Sequence, residues 1–177
     1  MLIAAALLQT ACGGGKKAES TTPGHAAPEL EQKLPAGLAG TRLKLESYGG
    51  PTWARLLPTF NLPPEMDVNI PRFLRSLGKK PKDLQFAWAI SQEDGYIKIS
   101  AYQVEGVGAG ELLPAYVDSL RNVTTRESTI SGKRVLVASA AGSADHAYLH
   151  AADGALFITH SIDVTNTELR ELIAAEP

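Results

Sequence analysis

Three histidines cluster near the end of the chain, His146, His150 and His160, and imidazole is both a metal ligand and a general base. On a strand, His146 and His150 would stand roughly 13 Å apart, too far to chelate one ion directly. His160 falls opposite Ala147, on the other face, so no metal site is expected. Ser143, Asp145 and His146 carry the residue types of a hydrolytic triad. Adjacent strand residues point to opposite faces, however, and cannot relay a proton side by side. Glu93 and Asp94 sit at a turn tip with no apolar pocket to raise either pKa.

Two glycine-containing segments invite a phosphate reading. Gly106, Gly108 and Gly110 precede a helical stretch, but Glu111 takes the place of the last glycine of a dinucleotide loop. Its carboxylate would repel a pyrophosphate at the helix N-terminus. Around Gly132 and Lys133, Glu127 replaces the first glycine of a P-loop and Arg134 the Ser or Thr, which leaves a hairpin turn. No serine has the Gly-x-Ser-x-Gly setting of a nucleophile elbow. No cofactor is expected.

One feature survives these tests. Read as strands, the segments around Asp153-Gly154 place His146, Tyr148 and His150 on one face, with Phe157 opposite His150 and Thr159 opposite Tyr148. This aromatic and imidazole strip on a nominally wet face is the candidate binding surface. The alternative is that a helix or the loop of residues 58–71 covers it as a second small core.

The elements that must position this strip follow from pattern. Asp94-Gly95 and Asp153-Gly154 suit two-residue type I′ turns, whose central residues both need positive φ; Ser131-Gly132 suggests a third hairpin. In the first hairpin, positions summing to 189 would face each other. Phe86, Trp88 and Ile90 would then share a core face with Ile97, Ile99 and Ala101, leaving Gln85, Ser91, Lys98, Ser100 and Tyr102 to water. In the last hairpin the sum is 307, with Ala147, Leu149, Leu156 and Ile158 inward.

Residues 41–48 read as a strand, with short helical pieces around Trp53 and around Phe73, Leu74 and Leu77, the latter stopped at Gly78. Between these lies a loop carrying Pro58, Pro63, Pro64 and Pro71. A helix over 111–121 places Leu112, Leu113, Tyr116, Val117 and Leu120 on one stripe. A second begins at Thr165, with Glu168 completing a capping box. The two hairpin–helix units repeat at an offset of 59 residues. The expected fold is α+β: a single antiparallel sheet of about seven strands with two or three helices packed on one face.

The chain has 177 residues, 17 basic and 19 acidic, for a net charge of −2. That balance gives no field to steer nucleic acid. Its one cysteine, Cys12, excludes a disulfide framework and a cysteine-based zinc site. The apolar run of residues 2–8 is too short to span a bilayer. It leads into Leu7-Leu8-Gln9-Thr10-Ala11-Cys12, which resembles the lipobox of bacterial lipoproteins. The resemblance implies that Cys12 is acylated and becomes the mature N-terminus.

Gly13-Gly14-Gly15 and the Lys-, Glu-, Ser-, Thr- and Pro-rich stretch after them read as a flexible tether spanning roughly 25 Å. Residues 1–11 are thus a signal segment, 12–35 a tether that includes His25, and 36–177 one globular domain. The expected function is a non-enzymatic, membrane-anchored domain facing the periplasm or exterior. It would bind an envelope protein or a small amphipathic ligand through His146, Tyr148, His150 and Phe157. The alternative is an envelope hydrolase whose site forms beneath the 58–71 loop, with Glu65 or Asp67 and a histidine.

Overall fold

The computed structural model describes residues 24–56, 68–93, 95–162 and 164–177. Cys12, Asp94, Glu65, Asp67 and the prolines at 58, 63 and 64 lie outside them. Among the described residues eight strands form one antiparallel sheet: β1 (Gly37–Leu38), β2 (Thr41–Gly49), β3 (Leu84–Ser91), β4 (Ile97–Val104), β5 (Val123–Ile130), β6 (Lys133–Ala140), β7 (His146–Ala152) and β8 (Ala155–His160). Their order is β1-β2-β3-β4-β8-β7-β6-β5. Two meanders are therefore joined through β4 and β8. The hairpins turn where their residues permit it: Ser131 and Gly132 have φ of 51° and 78°, Asp153 and Gly154 of 47° and 72°, as type I′ turns require.

Among the described residues five helices accompany the sheet: α1 (Pro28–Glu31), α2 (Gly50–Leu56), α3 (Ile70–Ser76), α4 (Ala109–Ser119) and α5 (Asn166–Ala175), with a 3-10 turn at Pro81–Asp83. They cover both faces of the sheet rather than one. On the first face, Trp53, Phe73, Leu112 and Tyr116 from α2, α3 and α4 pack on Phe86, Trp88, Tyr102, Leu149 and Ile158. On the second, Leu30 of α1 and Leu172 of α5 pack on Ala87, Ala89, Ile99, Ala101 and Phe157. Leu169 and Ile173 continue α5 onto Val135 and Val137. α4 and α5 thus follow their hairpins onto opposite faces, so the 59-residue repetition is not a symmetric duplication.

The two-sided cover explains where the first hairpin departs from expectation. Phe86 lies opposite Tyr102 and Trp88 opposite Ser100, a sum of 188 rather than 189, with a bulge beyond Ala89. A one-residue slip moves Ile99, Ser100, Ala101 and Tyr102 to the other face, and the bulge keeps Ile97 on the expected face with Ile90. Ser100 and Tyr102 therefore join Phe86 and Trp88 in the core, while Ile99 and Ala101 face α1 and α5. Small residues at 87, 89 and 101 on that second face let helices approach closely. The last hairpin keeps its expected register, Ala147 opposite His160 and Leu149 opposite Ile158.

Residues 24–35 belong to the packed domain instead of the tether. Residues 24–26 run beside β2, where His25 bridges Ser47 and Ala26 donates its N–H to the Ser47 carbonyl. Ala27, Leu30 and Leu34 are buried, and the Glu31 carboxylate lies 2.9 Å from His25 Nδ1. Three apolar side chains in and around this short helix are enough to seat the segment on the second face. At the end of β2, α2 sits tightly on the 3-10 turn. A Cβ at Gly50 would stand 2.1 Å from the Pro81 carbonyl oxygen, so only glycine permits this approach.

Candidate functional site

The strip anticipated on β7 and β8 is present in register, with His150 opposite Phe157 and Tyr148 opposite Thr159. It is not an open surface. α5 starts at Thr165, whose hydroxyl accepts from the Glu168 N–H while Glu168 accepts from the Thr165 N–H at 2.7 Å. That capping box directs Leu169, Leu172 and Ile173 onto this face. Phe157 is fully buried beneath the helix, and Tyr148 is half-buried against Val135, Val137, Leu169 and Ile173. A phenyl ring sealed in this way packs the fold and presents nothing to a partner.

The two histidines of the strip have local roles. His146 Nδ1 shares a hydrogen bond of 2.8 Å with Ser139 Oγ, and its ring meets Tyr148 edge-on at 6.4 Å. His150 has its ring nitrogens 3.2 Å from the Arg134 carbonyl and 3.3 Å from the Pro177 carbonyl. Ser143 Oγ accepts from the Asp145 N–H at 3.0 Å, which makes a turn and not a relay to His146. Among the described residues no three His, Cys, Asp or Glu converge as a metal site would require.

The chain end closes the strip. Thr159 Oγ1 donates to Glu176 Oε1 at 2.6 Å, and Lys133 Nζ donates to the Glu176 and Pro177 carbonyls. Glu176 is only 4 % exposed. Burial pushes its carboxyl up to about 7, against the opposing effects of the Thr159 hydrogen bond and the Lys133 charge.

His160 points to the first face, into the aromatic core. Its Nε2 lies 3.3 Å from Ser100 Oγ beside a gap of about 10 Å³ lined by Trp53, Phe86, Ile97, Tyr102 and Tyr116. Burial lowers its pKa to about 3, so the ring is neutral at ordinary pH. Among the described residues no carboxylate stands behind this Ser–His pair, and the gap has room for little more than a water. The pair arises from β4 meeting β8 across 60 residues of chain, and no local motif announces it.

Among the described residues two open grooves stand out. The first, of about 400 Å³, runs between the start of α4 (Ala109, Leu113, Pro114) and the β5–β7 side of the sheet, where Leu136 and Ala151 lie beside Glu127, Arg134 and His150. Of the four strip residues, His150 alone reaches it. Arg134 Nη2 donates to Glu127 Oε1 at the rim. The Gly-rich connection leading into α4 is closed to anions, because Glu111 already accepts from the Gly108 N–H at 3.3 Å.

The second groove, of about 340 Å³, lies between α2 and α3. Ala54, Ile70, Pro71, Leu74 and Pro81 form its apolar part, and Arg75, Lys79 and Lys80 its rim. Pattern reading treated this stretch as a helical turn stopped at Gly78 and passed over its charge. The available signal was a density of basic residues in a chain of net charge −2. The hydrolase alternative beneath the 58–71 loop rests on Glu65 and Asp67, outside the described residues; Pro71 itself belongs to α3. No protein family, no curated protein and no solved structure matches this chain.

Proposed function

We propose that this chain is a lipoprotein of the cell envelope, anchored through Cys12, whose domain binds a small amphipathic ligand without catalysis. The observation that carries the ligand reading is the groove between α4 and β5–β7. Its volume of about 400 Å³ falls within the range of small-molecule sites. An apolar body would lie along Leu113, Pro114, Leu136 and Ala151, and a polar head would meet Arg134 and His150. A docked protein is the weaker fit, because among the described residues α1 to α5 pack on both faces of the sheet.

The anchor and the groove are tested separately. Mass spectrometry of the mature N-terminal peptide should find Cys12 first and acylated; a chain that retains Met1 to Ala11 would end the lipoprotein reading. For the groove, the anionic amphiphile 1-anilinonaphthalene-8-sulfonate serves as probe, with lysophospholipid as competitor. Leu113→Asp, at a half-buried position, should weaken probe binding at least about tenfold, since it sets a carboxylate where apolar surface must be desolvated. An identical titration for wild type and variant would exclude the groove.

A further inference from the structure

We propose that the groove between α2 and α3, with its basic rim, is a docking surface for the anionic phospholipid headgroups of the bilayer that holds the anchor. Residues 72–83 contain five basic side chains (Arg72, Arg75, Lys79, Lys80 and Lys82) and one acidic, Asp83, so the segment carries +4 in a chain whose total is −2. Arg72 and Arg75 are three apart on α3 and share a helix face. Arg75, Lys79 and Lys80 line one groove. Among the described residues none of the five has a carboxylate within salt-bridge distance. Asp83 turns instead to accept from the Lys80 N–H at 2.9 Å. A cluster of unpaired cations around an apolar floor is complementary to a sheet of phosphates over acyl chains.

Chain geometry places this surface where it can be used. The N-terminal segment enters the domain beside Ser47, with the Ser47 N–H donating to the Gly24 carbonyl at 2.7 Å. Three residues later α2 begins at Gly50, in contact with Pro81, which itself lines the groove. The entry point and the groove therefore share one corner of the molecule, roughly 10 Å apart. From Cys12 to Gly24 the chain can reach no more than about 40 Å in any conformation. An anchor at Cys12 holds this corner at the membrane, within the range where headgroup charge can be felt once the surfaces close to a Debye length.

The inference rests on the anchored reading for its biological setting, but the test does not need the anchor. The probe is the full chain carrying Cys12→Ser, mixed with vesicles of phosphatidylglycerol and phosphatidylcholine or of phosphatidylcholine alone. The chain should favour the anionic vesicles, with the preference lost in high salt. Replacing Arg75, Lys79 and Lys80 by Gln should reduce that preference roughly a hundredfold, at about fivefold per cation. The same number of charges removed elsewhere, at Arg42, Arg126 and Arg170, should leave it intact. Equal partition on both vesicle types, or equal loss in both variants, would overturn the docking surface. Displacement by millimolar inorganic phosphate would also overturn it, in favour of a discrete anion site. An unacylated Cys12 alongside charge-dependent docking would remove the anchor and leave this surface standing.

Discussion

Trp53→Ala is expected to lower the stability of the domain by about 3–5 kcal/mol, measured by urea unfolding with the slope held in common. The indole is 1 % exposed. It stacks on Phe86 with centroids 3.6 Å apart and planes within 8°, and it meets Trp88 edge-on at 5.5 Å. Truncation would remove the central piece of this aromatic cluster.

The loss has a functional side. α2 has seven residues, of which Gly50 and Trp53 are the buried ones, so Trp53 is its main apolar hold on the sheet. Without it, hydrogen exchange in α2 should quicken more than in β3, and the groove that Ala54 helps to line should lose its wall. Trp53→Phe, which keeps a ring over Phe86, should recover more than half of the lost stability. A cost below about 1 kcal/mol for Trp53→Ala would mean that the cluster closes over the hole and that α2 is held by other contacts.

How far the sequence could be read depended on whether one physical signal decided each feature. Turn chemistry did so at Ser131-Gly132 and Asp153-Gly154, where left-handed backbone is needed at both positions. Capping chemistry did so at Thr165 and Glu168. Alternation of polarity along β7 placed the last hairpin, because Ala147 and Leu149 alternate with His146, Tyr148 and His150. It misplaced the first, because Ala87, Ala89, Ile99 and Ala101 on one side face as dry a layer as Phe86, Trp88 and Tyr102 on the other. When both faces are covered, period-two patterning no longer fixes register.

The covering of the strip by α5 was equally hidden. The helix announces its apolar side, but nothing local says which sheet face that side will meet. The pairing of β4 with β8 belongs to the same class, and with it the contact of Ser100 with His160. The basic rim is a different case. Its residues are visible, but they come from a helix, a turn and a 3-10 turn, so only the folded chain makes them one surface.

Two buried groups with opposite pKa shifts should hide each other's effect on stability, and single substitutions should expose them. His160 moves from 6.5 to about 3, so between those values the unfolded chain binds a proton there that the folded chain does not. Stability on that account rises with pH from about 3 to 6.5. Glu176 moves from 4.5 to about 7, so the folded chain holds the extra proton, and stability on that account falls as pH rises across that interval. From pH 4.5 to 6.5 the two slopes oppose each other, each about 1.4 kcal/mol per pH unit, and their sum is flat. Glu176→Gln keeps an acceptor for Thr159 and removes the ionisation. Relative to wild type, its stability should climb by about 2–3 kcal/mol across those two pH units. His160→Asn keeps a polar partner for Ser100 and should fall by a similar amount, and the double variant should again track wild type. Urea midpoints at pH 4.5, 5.5 and 6.5 measure all four proteins. If the difference between Glu176→Gln and wild type is constant across that series, Glu176 titrates alike in the folded and unfolded chains, and its packing is looser than its buried contact with Thr159 implies.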